Sequence, residues 1–247
     1  MIKIESIGNT RRITLDRPER RNALGAELIN SLSRALHDAQ QDDEVRAVVL
    51  CAAPPAFCAG SDLKELAGLS IEDMCRHEAD TAAIARGFGA LTKPLIAAVE
   101  GYALGGGFIL ACSCDVIISA TDTRWHLPEV ANGWVPPWGL QALVARVGVH
   151  KARWLTWGVE AIDGARAYDI GLADLLCENG AADQTAMELA EKFAALPAHS
   201  VASCKRFYDA FWAPNGEFMD RAASKCFADD CLNPRAQEIL SRFGAKK

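Results

Sequence analysis

The stretch "VEGYALGGGF", residues 99 to 108, sets three consecutive glycines, Gly105 to Gly107, inside an otherwise apolar, helix-forming run. A glycine within a helix costs about 1 kcal/mol relative to alanine, so three in succession need a reason. At a strand-to-helix junction two mechanisms make such a cluster useful: a left-handed turn, or close approach of backbone to a ligand. Tight packing of the helix on a sheet is the plainer alternative, and the glycines alone leave both open. The dinucleotide fingerprint G-x-G-x-x-G fails, because the sixth position counted from Gly105 is Leu110, and the glycine-lysine-serine/threonine of a phosphate loop is absent. A helix N-terminus with unpaired N–H groups remains, and such a terminus stabilises a negative oxygen.

Working outward, "PLIAAVEG" (94–101) and "DVIISA" (115–120) flank the glycines as apolar runs of strand length, as does "VRAVVLCA" (45–52) upstream. "IKIESI" and "RRITL" alternate with period two around Gly8-Asn9, a hairpin signature. Between them and 45–52, Leu24, Leu28, Leu32, Leu36 and Ala39 share one face of an amphipathic helix. The loop "APPAFCAGSD" (53–62) leads to a short helix near 62–67 and a longer one over 72–91. This alternation predicts the α/β class. "PPWGLQALVARVG", "HKARWLTWG" and "DGARAYDIG" read as short helices ending at glycines, and "LADLLCE" as one more strand. From Ala181 onward only helices are predicted, over 183–195, 198–212, 215–230 and 233–243. The expected organisation is an α/β core over 1–195 and a helical C-terminal region over 196–247. The apolar positions of that region (Val201, Phe207, Phe211, Trp212, Phe218, Phe227) exceed what one core face needs, which points to a neighbouring subunit.

Composition narrows the function classes. Of 247 residues, 50% are hydrophobic and 23% charged, as in a packed globule. A formal charge of −6 argues against a nucleic-acid footprint or a polybasic membrane patch. The N-terminus has no apolar signal core, and no apolar run reaches the roughly 18 residues of a membrane helix. Nine cysteines, an odd number scattered through apolar segments (Cys51, Cys112, Cys114, Cys177), read as reduced core thiols, so a cytoplasmic location is expected. The five histidines are dispersed and Cys112-Ser113-Cys114 lacks a second ligand pair, so no metal site is expected.

A second junction sharpens the reading of the first. "PAFCAGSDLKEL" (55–66) follows a buried strand and runs small residues (Ala59, Gly60, Ser61) into a helix capped by Asp62. Two such junctions could each aim one backbone N–H at a single point and form an oxyanion hole, in which one donor is typically worth about 2.7–4 kcal/mol. Ser61 as a hydrolase nucleophile is the rival, but G-x-S-x-G is absent and no histidine stands in a triad context.

"PAFCAGSDLKEL" followed by "KPLIAAVEGYALGGGFILACSCDVIIS" (93–119) resembles the crotonase (enoyl-CoA hydratase/isomerase) superfamily, and the match runs from "LDRPERRNAL" (15–24) to "NPRAQEILSRF" (233–243). The resemblance implies a spiral of repeated β-β-α units, C-terminal helices that trimerise, and a homotrimer or a dimer of trimers. It implies an acyl-CoA thioester as ligand, with coenzyme A part of the substrate and no separate cofactor. By position, the thioester carbonyl accepts from the backbone N–H groups of Ser61 and Gly106. CoA lies along Arg21, Asn22 and Ala23 and along Ala59, Gly60, Ser61, Asp62, Leu63 and Lys64, with Gly105 beside the carbonyl. Hydratases of the family carry two glutamates. The position of the first, just after the triple glycine, is Ile109 here, and that of the second is Glu129 in Pro128-Glu129. Isoleucine cannot orient or deprotonate water, so the resemblance points to single-glutamate chemistry with Glu129 as base: the Δ3,Δ2 double-bond shift of an enoyl-CoA isomerase. The alternatives are a hydratase or hydratase-lyase on a substituted acyl-CoA, and a non-catalytic acyl-CoA-binding member. The phenol-binding tyrosine of hydroxycinnamoyl-CoA lyases is replaced by Leu66, and the aspartate nucleophile of aryl-CoA dehalogenases by Pro137. Trp125, Trp134 and Trp138 crowd Glu129, and apolar surroundings raise a carboxyl pKa. Trp134 and Trp138 are candidates to line the acyl pocket, with ordinary core as the other reading. His126 reads as a structural imidazole before a proton carrier, and Lys205 as a solvated helix position before a contact to CoA phosphate.

Overall fold

The structure is a computed structural model that describes residues 1–210 and 215–244. Strands β1 (Ile2–Ile7) and β2 (Thr10–Leu15) form the expected antiparallel hairpin, turning at Gly8 with φ of 56°. Strands β3 (Ala47–Ala52), β4 (Leu95–Val99), β6 (Val116–Ala120) and β8 (Leu175–Cys177) then add in parallel, giving the order β1-β2-β3-β4-β6-β8. Parallel strands covered on both faces read as continuous apolar runs, and all five residues of β4 are buried. One face packs on α1 (Ala26–Gln41) through Leu28, Leu32 and Leu36. The other carries α8 (Ala182–Ala194), whose Ala182, Ala186 and Ala190, one turn apart, meet Val49, Ile96 and Ile118.

Two three-residue strands, β5 (Tyr102–Leu104) and β7 (Arg124–His126), form a separate parallel pair that the sequence reading did not contain. The run before the glycines is therefore strand, not helix. Cys58 bridges to Ala103 and joins the same layer. Each turn of the chain thus passes from the large sheet to the small one and then into a helix. β4 and β5 lead to α4 (Gly106–Cys112), and β6 and β7 to α5 (Glu129–Asn132). After β3 and Cys58 come α2 (Leu63–Leu66) and α3 (Ile71–Ala90). This repetition is the spiral of β-β-α units.

The run α6 (Leu140–Trp157) is interrupted by the non-helical Gly148, φ 76° and ψ 160°, so it consists of the two short helices expected from the sequence. After α7 (Gly164–Asp169) and α8, the C-terminal helices α9 (Ala198–Asp209) and α10 (Gly216–Asp230) lie along α3, and α11 (Pro234–Gly244) lies on α2 and α5. Phe227 is buried within the chain, edge-on to Trp134 with ring centroids 6.3 Å apart, and is not available to a neighbour as the sequence reading assumed. Phe207 and Phe218 are exposed, whereas Phe211 and Trp212 lie outside the described residues. Among the described residues no helix is long and apolar enough to cross a membrane.

Candidate active site

The two glycine-bearing junctions touch. The first is pinned by backbone: Ala59 N–H donates to Arg21 O at 3.0 Å, Leu24 N–H to Gly60 O at 2.8 Å and Asp62 N–H to Leu24 O at 3.1 Å. The second is pinned by Gly105 N–H donating to His126 O at 2.9 Å. Gly60 (φ +84°) and Gly106 are so close that a Cβ on Gly60 would stand 3.1 Å from the nitrogen of Gly106. Among the described residues, the N–H groups of Ser61 and Gly106 donate to no protein acceptor. Both border one cavity of about 70 Å³.

The three glycines have three different causes. Gly105 caps α4 at φ 53° and ψ −126°, which an L side chain rarely adopts, and a Cβ there would stand 2.7 Å from Glu129 Oε1. Gly106 is the first helical residue, and a Cβ on it would press on Trp138 at 3.1 Å and Leu24 at 3.2 Å. Gly107 packs so tightly that a Cβ would lie 2.3 Å from the carbonyl oxygen of Cys58. None stands in the helix interior, so the interior penalty is not incurred.

Glu129 opens α5 and is buried in the same cavity. One carboxyl oxygen lies against Gly105, and Oε2 has no partner among the described residues. Burial pushes its pKa from 4.5 up to about 8, with its own backbone N–H opposing and the charge of Glu78 adding to the rise. Trp134, Trp138 and Ile109 line the cavity with it, whereas Trp125 does not: it is wholly buried in the core and donates to Ser119 Oγ at 3.1 Å. Ile109 is fully buried, and a Cβ on Gly139 would stand 2.1 Å from its Cγ2.

Glu78 is a cavity residue that the sequence reading missed. It projects from the middle of α3, is 3% exposed, and accepts from Trp138 Nε1 at 2.7 Å and from the Ser61 hydroxyl. Burial raises its pKa, while those two donors and the neighbouring His77 oppose the rise. The signal was present: Met74, Glu78, Thr81 and Ala85 form the buried stripe of α3, so a glutamate occupies the inward face of an amphipathic helix.

Several expected contacts need correction. The Asn22 side chain is wholly buried, accepts from Arg17 N–H at 2.8 Å, and donates to Ala53 O at 2.8 Å and Ala56 O at 2.6 Å, leaving no polar atom for CoA. Asp62 caps α2 through Lys64 N–H at 3.1 Å and forms an ion pair with Arg17 at 3.0 Å, while its buried Oδ2 has no hydrogen-bond partner among the described residues. At Ala23 and Ala59 only backbone is on offer, Leu63 is half-buried at the cavity, and Arg21 and Lys64 are exposed cations. His126 Nε2 bonds Gly158 O at 2.9 Å, a structural role. Lys205 is not a solvated position: its ammonium is held by Asp115 and by Lys93 O at 3.0 Å. Among the described residues no three His, Cys, Asp or Glu side chains converge as metal ligands would.

The chain matches the family model described as "Enoyl-CoA hydratase/isomerase" over residues 6–242. It is 38% identical over 249 residues to a probable enoyl-CoA hydratase of Rhizobium meliloti, covering 99% of this chain and 95% of that one. It is also 38% identical over 161 residues to a probable enoyl-CoA hydratase of Mycobacterium leprae, covering 65% of this chain and 62% of the relative. The solved structure of an enoyl-CoA hydratase/isomerase from Mycobacterium paratuberculosis superposes with a TM-score of 0.88 at 26% identity, covering 98% of this chain and 97% of that one. The fold is that of the crotonase superfamily, and the chain belongs to the enoyl-CoA hydratase/isomerase family.

Proposed function

We propose that the protein forms and re-protonates the enolate of an acyl-CoA thioester, shifting a double bond between C3 and C2. The supporting observation is the buried Glu129, with an unpartnered oxygen, in a cavity bordered by the undonated N–H groups of Ser61 and Gly106. In this reading the thioester oxygen accepts from both N–H groups, and developing negative charge meets fixed backbone dipoles. Ionised Glu129 takes a proton from C2 of a 3-enoyl thioester, and the electron pair moves through C2 onto the oxygen. The same carboxyl returns the proton to C4 as the 2-enoyl thioester forms. A raised pKa suits this work, since a catalytic acid–base group is most effective near working pH. The exposed Arg21 and Lys64 flank the paired segments 21–24 and 59–62, where the CoA moiety would lie. No separate cofactor enters this chemistry.

Hydration of a 2-enoyl thioester is the second reading, favoured by one observation, the carboxylate of Glu78 in the same cavity. We further infer a trimer or a dimer of trimers, from the exposed Phe207, Tyr208, Phe218 and Leu232, and a cytoplasmic location, from nine unpaired cysteines. The direct test offers 3-enoyl-CoA and 2-enoyl-CoA thioesters to wild type and Glu129→Gln, following enoyl absorbance and C2 exchange in deuterated water. Glu129→Gln should lose about 10²–10⁴ in rate with KM nearly unchanged. Turnover within a few-fold of wild type would exclude Glu129 as the base.

A further inference from the structure

We infer that Glu78 is a second acid–base residue of this cavity, taking a proton from water added at C3 while Glu129 delivers one to C2. The inference rests on the proposed enolate chemistry and extends it to hydration.

Adding water across a C2–C3 double bond needs two proton carriers in opposite states. An ionised base activates the water and a protonated acid supplies C2. Two carboxyl groups with different surroundings meet that need, and the surroundings assign the roles. Glu78 accepts hydrogen bonds from Trp138 Nε1 at 2.7 Å and from the Ser61 hydroxyl, donors that favour its ionised form. Among the described residues Glu129 has no side-chain donor, and its buried Oε2 is unpartnered, which favours the protonated form. Both side chains line one cavity and are close enough for the charge of one to raise the proton affinity of the other, so the pair retains a proton that two separate carboxylates would lose. Ile109, where a carboxylate would otherwise stand, is apolar and packed against Gly139. The second carboxylate comes instead from α3.

The step balances. The water oxygen bonds to C3 and one water proton passes to Glu78. The π pair moves to an enolate whose oxygen rests on the Ser61 and Gly106 N–H groups. The carboxyl proton of Glu129 bonds to C2 as the enolate collapses to the 3-hydroxyacyl thioester. Solvent then carries the proton from Glu78 back to Glu129.

The experiment compares wild type, Glu78→Gln and Glu129→Gln on crotonyl-CoA for hydration, on a 3-enoyl-CoA for the bond shift, and on butyryl-CoA for C2 exchange in deuterated water. Wild type should hydrate. Glu78→Gln should lose about 10²–10⁴ in hydration while C2 exchange falls less than tenfold, and Glu129→Gln should lose both. A wild type that shifts double bonds without hydrating, or a Glu78→Gln protein that hydrates within a few-fold of wild type, overturns the role of Glu78 and leaves the proposed function standing. A wild type that neither exchanges nor shifts refutes the proposed function itself. If Glu78→Gln fails to fold, Trp138→Phe carries the test. Losing that donor leaves only the Ser61 hydroxyl and His77 to favour the ionised form of Glu78 against its burial, so the acid limb of hydration should move to higher pH. An unmoved limb overturns the inference.

Discussion

Replacing Glu129 by glutamine should make the folded protein more stable while removing activity, and the gain should grow with pH. Burial raises the Glu129 pKa from 4.5 to about 8 in the folded chain. Below the lower value both folded and unfolded forms carry the proton, and the carboxyl contributes nothing to the pH dependence. Between the two values the unfolded chain has lost the proton that the folded chain still holds, so stability falls as pH rises, by about 1.4 kcal/mol per unit. Above the folded value both forms are ionised and the loss levels off. At pH 7 the accumulated penalty is about 3 kcal/mol, an upper figure because the buried amide of glutamine also leaves hydrogen-bonding capacity unused. Glutamine does not titrate, so it escapes the penalty at nearly the same volume. For a chain of this size each kcal/mol moves Tm by about 2–4 °C, so Glu129→Gln should melt roughly 5–10 °C above wild type at pH 7. At pH 5 the accumulated penalty is below about 1 kcal/mol and the two should differ by less than about 3 °C. Calorimetric scans of both proteins at pH 5, 7 and 8 measure this directly. A gap independent of pH, or a wild type more stable than the variant at pH 8, would refute the argument that burial holds this carboxyl protonated.

Gly105→Ala should cost about 1–3 kcal/mol in stability from the forced left-handed backbone. Its Cβ would also stand 2.7 Å from Glu129 Oε1, so kcat should fall about 10²-fold, read by steady-state kinetics alongside a melting curve. Asp220 joins α10 to the cavity wall by pairing with Arg86 and accepting from Gly139 N–H at 2.7 Å, and is 8% exposed. Asp220→Ala should therefore cost about 3 kcal/mol in urea unfolding, because a guanidinium and an amide lose their acceptor together. Light scattering at micromolar concentration should give the mass of a trimer or hexamer, and a clean monomer would remove the role assigned to the exposed Phe207 and Phe218.

What the sequence by itself determined lies in features whose physical requirement is local. Apolar runs of strand length at 45–52, 94–101 and 115–120 read as strands covered on both faces, and β3, β4 and β6 fall within them. The two junctions were legible as runs of small residues at strand-to-helix turns, where backbone N–H groups can stay accessible, and the resemblance singled out Ser61 and Gly106 within them. Glu129 was reached through the family resemblance, which matched Pro128-Glu129 to the family's second glutamate, and its apolar surroundings through the tryptophans near it in sequence. The tertiary structure alone decided whatever depends on a distant partner. β5 and β7, three residues each, exist because they pair with one another across an intervening strand and helix. The side chains of Asn22 and Asp62 are turned to structural partners, Asn22 to Ala53 and Ala56 and Asp62 to Arg17. Lys205 was drawn into the protein by Asp115, ninety residues away. Glu78 became a cavity residue because α3 turns its buried face toward Ser61 and Trp138, which sit 17 residues before it and 60 after it. A buried charge is only as significant as the groups that meet it, and those groups are brought together by packing rather than by order along the chain.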